Sequence, residues 1–212
     1  MPRRQSTNSR MASSPSTSSA GTALATASGS GVRSVATCAA ALAAMVANLP
    51  HPKAPFAKVR GELEKVSVRG QELKQQLLDA IDEDTWSFQR LMDANKVSGE
   101  AKVAAVRAAT LGAALVPLEV TEACPEVVGL CERARELGMA ASASDAGVGA
   151  AMARAAALGA AMNVRINLQD MTDDAEAAAM LERADRALAE TTKAAAALET
   201  EVWASLGGGE LA

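Results

Sequence analysis

The 212-residue chain has no tyrosine, two phenylalanines and two tryptophans, so aromatic rings make up 2% of it while 49% is hydrophobic. Without β-branched and aromatic residues in alternation no strand pattern can be read, and an Ala-rich chain of this length predicts one all-α domain with a sizeable core. Histidine is nearly absent. His51 stands alone and Cys38, Cys124 and Cys131 fall at no metal-ligand spacing, which excludes a zinc site. The odd cysteine count also argues against a disulfide framework, leaving three reduced, buried small hydrophobes in a reducing compartment. Acids are missing from the head of the chain. All 25 lie at or beyond Glu62, whereas seven of the 21 basic residues precede it, so the head carries +7 and the rest −11 of the net −4. An acidic body lacks the clustered Lys and Arg that phosphate contacts need, so no nucleic-acid partner is expected.

Residues 1–28 are rich in Ser and Thr, contain Arg3, Arg4 and Arg10, and read as a disordered tail or an organellar transit peptide, with Met11 an alternative start. The protein is accordingly expected in the cytoplasm, or in a plastid or mitochondrion if that segment is a transit peptide. A first helix should run from about Ser30 to Leu49 and stop at Pro50-His51-Pro52. Its apolar core, Val35 to Ala47, is short of the ~20 residues that cross a bilayer, and no other span is read, so no membrane partner is expected.

From Phe56 to Lys96 a helical stripe places Leu63, Val66, Gly70, Leu73 and Leu77 in register, then Ile81, Asp84, Phe88 and Leu91 after a step that suggests a bend. Asp82, Glu83 and Asp84 form an acidic cluster in which Asp84 falls on the inward stripe. The next helix opens at Ser98-Gly99-Glu100 and runs toward Cys124. Pro117 inside it removes one backbone hydrogen bond, kinks the helix and frees a carbonyl that can shape a pocket. Glu119 and Glu122 follow, as exposed charges or as pocket residues. Pro125 is expected to start a short helix that ends at Gly138 as a left-handed cap. The last helix begins near Thr172-Asp173-Asp174, with Asp173 and Glu176 at capping-box spacing, and ends before Gly207-Gly208-Gly209. The layout is a single bundle of about six helices over residues 29–206, with a flexible tail at 207–212.

The centre of the bundle is assigned to Ser142–Leu168, half of it Ala or Gly. Ser144 or Asp145 can cap its first turn, and from Asp145 to Leu168 it spans about 36 Å. Val148, Met152, Ala155, Gly159, Met162 and Ile166 fall on one stripe in steps of three and four, which predicts a core-facing seam.

Four segments carry a resemblance: Ile81-Asp82-Glu83-Asp84-Thr85-Trp86-Ser87-Phe88, Val116-Pro117-Leu118-Glu119-Val120-Thr121-Glu122, Ser144-Asp145-Ala146-Gly147-Val148, and Asn163-Val164-Arg165-Ile166-Asn167-Leu168. In this order, over roughly Gly29 to Leu206, they resemble the formiminotransferase-cyclodeaminase family in its cyclodeaminase and methenyltetrahydrofolate cyclohydrolase branch. The resemblance implies a homodimer acting on a one-carbon tetrahydrofolate. Either 5-formiminotetrahydrofolate loses ammonia as its ring closes, or 5,10-methenyltetrahydrofolate is opened by water, with no metal and no cofactor beyond the folate.

By that resemblance Asp145 matches an acid suited to acid/base catalysis, while a plain helix cap accounts for it equally. Lys53, with Lys58 and Arg60 nearby, falls where the family has a basic stretch for the folate's glutamate tail. Gly29 and Ser30 match the end of the family's glycine-rich turn, here Thr26-Ala27-Ser28-Gly29-Ser30, which would present bare amides at a helix start. Asn163 and Asn167, one turn apart, could hold pterin edges, and Asp84 and Glu122 complete the substrate-binding set. Asp145 and Asn163 are ~27 Å apart along one helix. They must therefore serve different parts of a site, a second subunit, or the fold. The second reading, suggested by the altered glycine turn, the thinned basic stretch and Arg33 in an apolar helix, is a catalytically lapsed member acting as a structural subunit or binding partner.

Overall fold

The computed structural model describes residues 17–49 and 57–209, with the side chains of 17–29, 81, 82, 84 and 85 outside the description. Alanine loses no side-chain freedom on entering a helix, and this Ala-rich chain forms five long ones. They are α1 (Thr17–Asn48), α2 (Arg60–Lys96), α3 (Ala101–Leu137), α4 (Ala143–Leu168) and α5 (Ala175–Ser205), with a 3-10 turn, Ala140–Ser142, leading into α4. No strand occurs among the described residues, as an all-α bundle requires.

Contacts fix the directions. A Cβ on Gly159 would meet Val32 and one on Gly149 would meet both Leu42 and Cys131, so α4 runs antiparallel to α1 and α3. Gly147 lies on Val202, and Arg165 pairs with Asp185, which makes α5 antiparallel to α4 as well. Gly70 sits against Ala40 and Ala44, and Arg69 pairs with Glu126, so α2 runs antiparallel to α1 and α3. α4 packs against α1, α3 and α5, whereas α2 packs against α1 and α3. The arrangement is a layer of α1, α4 and α5 over a layer of α2 and α3. Its upper end gathers Ser30, the C-terminal halves of α2 and α4, and the starts of α3 and α5. The lower end gathers Val46, Leu63, Ala134, Asp145 and Val202.

The sequence-predicted seam of α4 faces outward at Val148, Ala155, Met162 and Ile166, while Met152 packs on the core and Gly159 on Val32 of α1. Val148 is 52%, Met162 54% and Ile166 49% exposed, while the buried face is Ala146, Ala150, Ala153, Ala157, Ala160 and Val164. The reason is volume. α4 lies so close to its neighbours that a Cβ on Gly149 would stand 2.8 Å from Cys131 Sγ and one on Gly159 2.6 Å from Val32 Cγ2. Only the small-residue face fits a gap that narrow, so hydrophobicity alone chose the wrong side.

Other expectations also shift. α1 begins at Thr17 rather than Ser30, so Ser30 lies inside a helix and presents no bare amide. α3 continues unbroken through Pro117 and Pro125. Gly138 has φ −84° and ψ −165°, an extended rather than left-handed conformation; it is small because a Cβ would lie 2.4 Å from the Ala134 carbonyl oxygen. α4 starts at Ala143 with no side-chain cap, because the Ser142 hydroxyl donates to the Met139 carbonyl at 2.8 Å, and Ser144 and Asp145 lie within the first turn. The cap of α5 is Asp174, whose Oδ1 accepts from the amides of Glu176 and Ala177, rather than Asp173. On α2 the register holds, with Leu63, Val66, Gly70, Leu73 and Leu77 all buried. α1 from Ser30 and α3 are both long and apolar enough to cross a membrane, both against expectation, though half and a third of their apolar windows are buried within the bundle.

Candidate active site

Among the described residues Ser67 and Ser142 are buried toward the lower end of the bundle, but the one buried charge lies higher. Arg33 on α1 is 1% exposed, and Thr37, Ser87, Thr121 and Asn163 are buried on α1, α2, α3 and α4. A charge costs so much to desolvate that its enclosure at this level marks the region as more than packing. With Val32 level with Gly159, Ser30 stands within ~3 Å of the level of Asn163 along the helix axes. By the register of Gly70 on α1, the backbone of Asp84 stands at about the same level on α2. The fold therefore brings Ser30, Asn163 and the Asp84 position to one end, around Arg33. The side chain of Asp84 lies outside the described residues, as does Lys53.

Asn167 belongs to the same end but has a different task. Pro117 has no N–H, so the Ala113 carbonyl four residues earlier loses its helical donor, and Asn167 Nδ2 donates to that oxygen at 2.9 Å. Thr121 Oγ1 in turn donates to the Pro117 carbonyl at 2.9 Å. The carbonyl expected to be left open is thus closed by α4, and the Asn167 amide holds α3 to α4 at the proline.

Asp145 lies at the lower end in the first turn of α4, half-buried, and no hydrogen bond or ion pair engages it among the described residues. Lys58 and Arg60, both exposed, open α2 at that end. Glu122, next to the buried Thr121 on α3, faces outward. It accepts two hydrogen bonds from Arg183, at 2.9 and 2.8 Å, in a shallow groove of about 500 Å³ between α3 and α5. Of the sequence-predicted set, Ser30, Asn163, Asn167 and the Asp84 backbone share the upper end of the bundle, though Asp84 on α2 and the asparagines on α4 belong to helices that do not pack on each other, and Asp145 lies at the other end.

Thr37, Ser87 and Thr121 were not anticipated. For Thr121 a signal existed, since a threonine four residues after a proline can donate to its carbonyl; the Arg33 signal was a lone charge in an apolar run. Burial pushes the Cys124 and Cys131 thiols up to about 12, so neither supplies a thiolate at neutral pH. Cys38, expected to be buried, is exposed on α1. No cluster able to hold a metal ion occurs among the described residues.

An all-α bundle whose two layers enclose an arginine, an asparagine and hydroxyls defines a helical-bundle protein with polar groups buried between its helices. The formiminotransferase-cyclodeaminase family model matches residues 11–186, and the chain belongs to that family. It is 35% identical over 159 residues to the methenyltetrahydrofolate cyclohydrolase of Methylorubrum extorquens, a match covering 71% of this chain and 76% of that one. It is also similar to the crystal structure of formiminotetrahydrofolate cyclodeaminase from Thermotoga maritima, with a TM-score of 0.76 at 27% identity, covering 84% of this chain and 88% of the other.

Proposed function

We propose that the protein is a one-carbon folate enzyme that works as a homodimer and hydrolyses 5,10-methenyltetrahydrofolate. The observation that carries this reading is the 35% identity to a methenyltetrahydrofolate cyclohydrolase across three-quarters of that enzyme. Formiminotetrahydrofolate cyclodeamination is the second reading, favoured by the shared bundle of the Thermotoga protein. A lapsed, purely structural role is not favoured, since both relatives are named for a catalytic activity.

In either substrate the reacting carbon lies between two nitrogens and passes through a tetrahedral state. In the hydrolysis, water adds its oxygen to that carbon and gives up a proton. One ring C–N bond then breaks, its electron pair staying on nitrogen, which takes a proton, while the added hydroxyl gives its remaining proton to solvent and the carbon is left as a formyl group on the other nitrogen. A carboxylate that accepts the water proton and returns it to the departing nitrogen suffices, and such transfer contributes roughly 100-fold or more. The substrate carbon is already cationic, so this chemistry calls for no metal and no cofactor beyond the folate. Asp145 is the acid/base residue in this reading. Asn163 offers an amide that can both donate and accept against a pterin edge, and Ser30 offers a hydroxyl at the mouth. The decisive assay is loss of the methenyltetrahydrofolate absorbance on adding the protein; no turnover with either folate, under conditions where neither binds, refutes the reading.

A further inference from the structure

The face of α1 that meets α2 changes character along its length. Ser30, Arg33, Thr37, Ala40 and Ala44 recur in steps of three and four and so form one stripe. Gly70 of α2 fixes the direction it faces, since a Cβ there would stand 3.0 Å from Ala44 Cβ and 3.2 Å from the Ala40 carbonyl oxygen. The lower part of the stripe is thus alanine laid against glycine. The upper part is a hydroxyl, a guanidinium and a second hydroxyl, on a helix interface where packing alone asks for no polar group.

Thr37 is the informative member. Of the three buried threonines, Thr121 and Thr191 donate to the carbonyls four residues before them, Pro117 and Ala187, at 2.9 and 2.7 Å. Thr37 has the same option at the Arg33 carbonyl and does not take it: its Oγ1 is enclosed and makes no hydrogen bond among the described residues. An enclosed hydroxyl without a partner costs stability, and valine would fill the same space without that cost. One turn above it stands Arg33, the one fully enclosed charge among the described residues. Helical side chains lean toward the N-terminus, so its guanidinium lies toward the level of Ser30.

The opposite wall is apolar and opens upward. From Gly70 the matching stripe of α2 continues through Leu73, Leu77 and Ala80, which puts Thr37 between the levels of the two leucines and Arg33 about level with Ala80. Leu73 and Leu77 are buried, whereas Ala80 is half-buried and Ser30 and Gly31 are exposed, so the seam is closed at Gly70 and reaches solvent at its upper end. A ligand entering there meets a smooth apolar wall on one side and a row of hydrogen-bonding groups on the other. An arginine fork only donates, while a hydroxyl both donates and accepts, a pair that matches a ring carbonyl beside a ring N–H. We infer that the upper α1–α2 seam holds the pterin ring of the folate, its carbonyl and N–H edge on Arg33 and Thr37 and its face on Leu77 and Ala80. Asn163, which shares that end from α4, is left the ring's opposite edge. The inference deepens the folate reading and rests on it for the identity of the ring.

Thr37→Val separates a role in the ligand site from a role in the fold. The probes are tetrahydropterin, the ring without its tail, and p-aminobenzoylglutamate, the tail without its ring, with binding measured by calorimetry and a melting curve recorded for each protein. Because valine removes an enclosed, unpaired hydroxyl, the variant should melt at or above the wild-type temperature. It should nonetheless bind tetrahydropterin roughly 2- to 10-fold more weakly, and p-aminobenzoylglutamate as the wild type does. A lower melting temperature would assign the hydroxyl to the fold, and unchanged binding of the ring would leave it idle. Either result overturns the inference, as does a loss confined to p-aminobenzoylglutamate.

Arg33→Lys keeps the charge and removes the fork. In turnover of methenyltetrahydrofolate it should raise KM by roughly 10-fold or more while kcat changes far less, the pattern of a lost binding contact. A fall in kcat at unchanged KM would take Arg33 away from the substrate. Failure of the folate reading looks different: the wild type then turns over neither folate, while binding of tetrahydropterin that depends on Thr37 still upholds the ring site. A wild type that turns over methenyltetrahydrofolate with a KM that neither substitution moves keeps the reading and loses the inference.

Discussion

The two ends of the bundle are built from the same kind of helix and do opposite things with polarity. The upper end buries Arg33, Thr37, Ser87, Thr121 and Asn163 among alanines, and uses Asn167 to close the carbonyl that Pro117 frees. At the lower end Val46, Ala47, Leu63, Val66 and Ala134 form an apolar cluster, and the carboxylate of Asp145 stands at its edge without a partner among the described residues. Asn167 is satisfied within the chain and ties α3 to α4, whereas no hydrogen bond or ion pair among the described residues ties the Asp145 carboxylate to the fold. The division can be broken by mutating each end in turn.

The largest expected effect is at Asp145. Asp145→Asn keeps the shape and removes the exchangeable proton, so methenyltetrahydrofolate turnover should fall by roughly 100-fold or more. The melting temperature should barely move, because no hydrogen bond is lost and only the favourable placement of an acid in the first turn of α4 is given up, about 0.3–1 kcal/mol. Asp145→Ala should behave like Asn in both assays. A cap residue would separate the two, with Ala costing more stability than Asn. Unchanged turnover in both variants removes Asp145 from the mechanism.

Second comes the inner face of α4. Gly149→Ala must drive a methyl to within 2.8 Å of Cys131 Sγ, and overpacking of this kind typically costs about 1–3 kcal/mol. Gly61→Ala on α2 meets nothing within 4 Å and should instead stabilise by roughly 0.5–1 kcal/mol. Denaturant midpoints of the two variants should move in opposite directions. Equal shifts would mean that α4 is not packed at this distance.

Asn167 tests whether the upper end is structural in part. Asn167→Ala leaves the half-buried Ala113 carbonyl without its donor, at a cost of about 1 kcal/mol. Turnover per folded molecule should change far less than in Asp145→Asn. A large loss of turnover at unchanged stability would return Asn167 to the substrate.

How far the sequence reached follows the same physics. The helical class, the α2 register from Leu63 to Leu77 and the outward charges were legible, because they depend on periodicity and on the absence of strand-forming residues. The facing of α4 was not, since its apolar residues cover more than one face and only the close approach of α1 and α3 selects the alanines. Pro125 was read as a helix start because a proline removes one hydrogen bond locally; that α3 tolerates it is a property of the helices packed around it. Among site residues, Asn163 and Ser30 were found through motif matches and do share a level. The partner of Asn167 could not be read, because the missing amide of Pro117 and the asparagine that replaces it are distant in sequence and adjacent only in the fold.

The smallest effect concerns the start of α5, where Asp174 both caps the helix and pairs with Arg107 Nε at 2.6 Å. The Arg107 hydrogen bond, then the amides of Ala177 and Glu176, holds the Asp174 carboxyl below its ordinary value of 3.8. A depressed folded-state pKa means that the unfolded chain takes up the proton first as pH falls. The stabilisation is therefore fully present above about pH 4 and is lost as pH drops through the folded-state value. Asp174→Ala should lower the melting temperature by about 2–4 °C at pH 7, and the gap to wild type should narrow between pH 4 and pH 2. Glu62, Asp93 and Glu126 are also held low by basic neighbours, but both proteins carry them, so the difference isolates Asp174. Asp174→Asn keeps the cap and loses the ion pair, and should fall between the two at neutral pH. A gap that widens on acidification would mean that the pair with Arg107 does not form in solution.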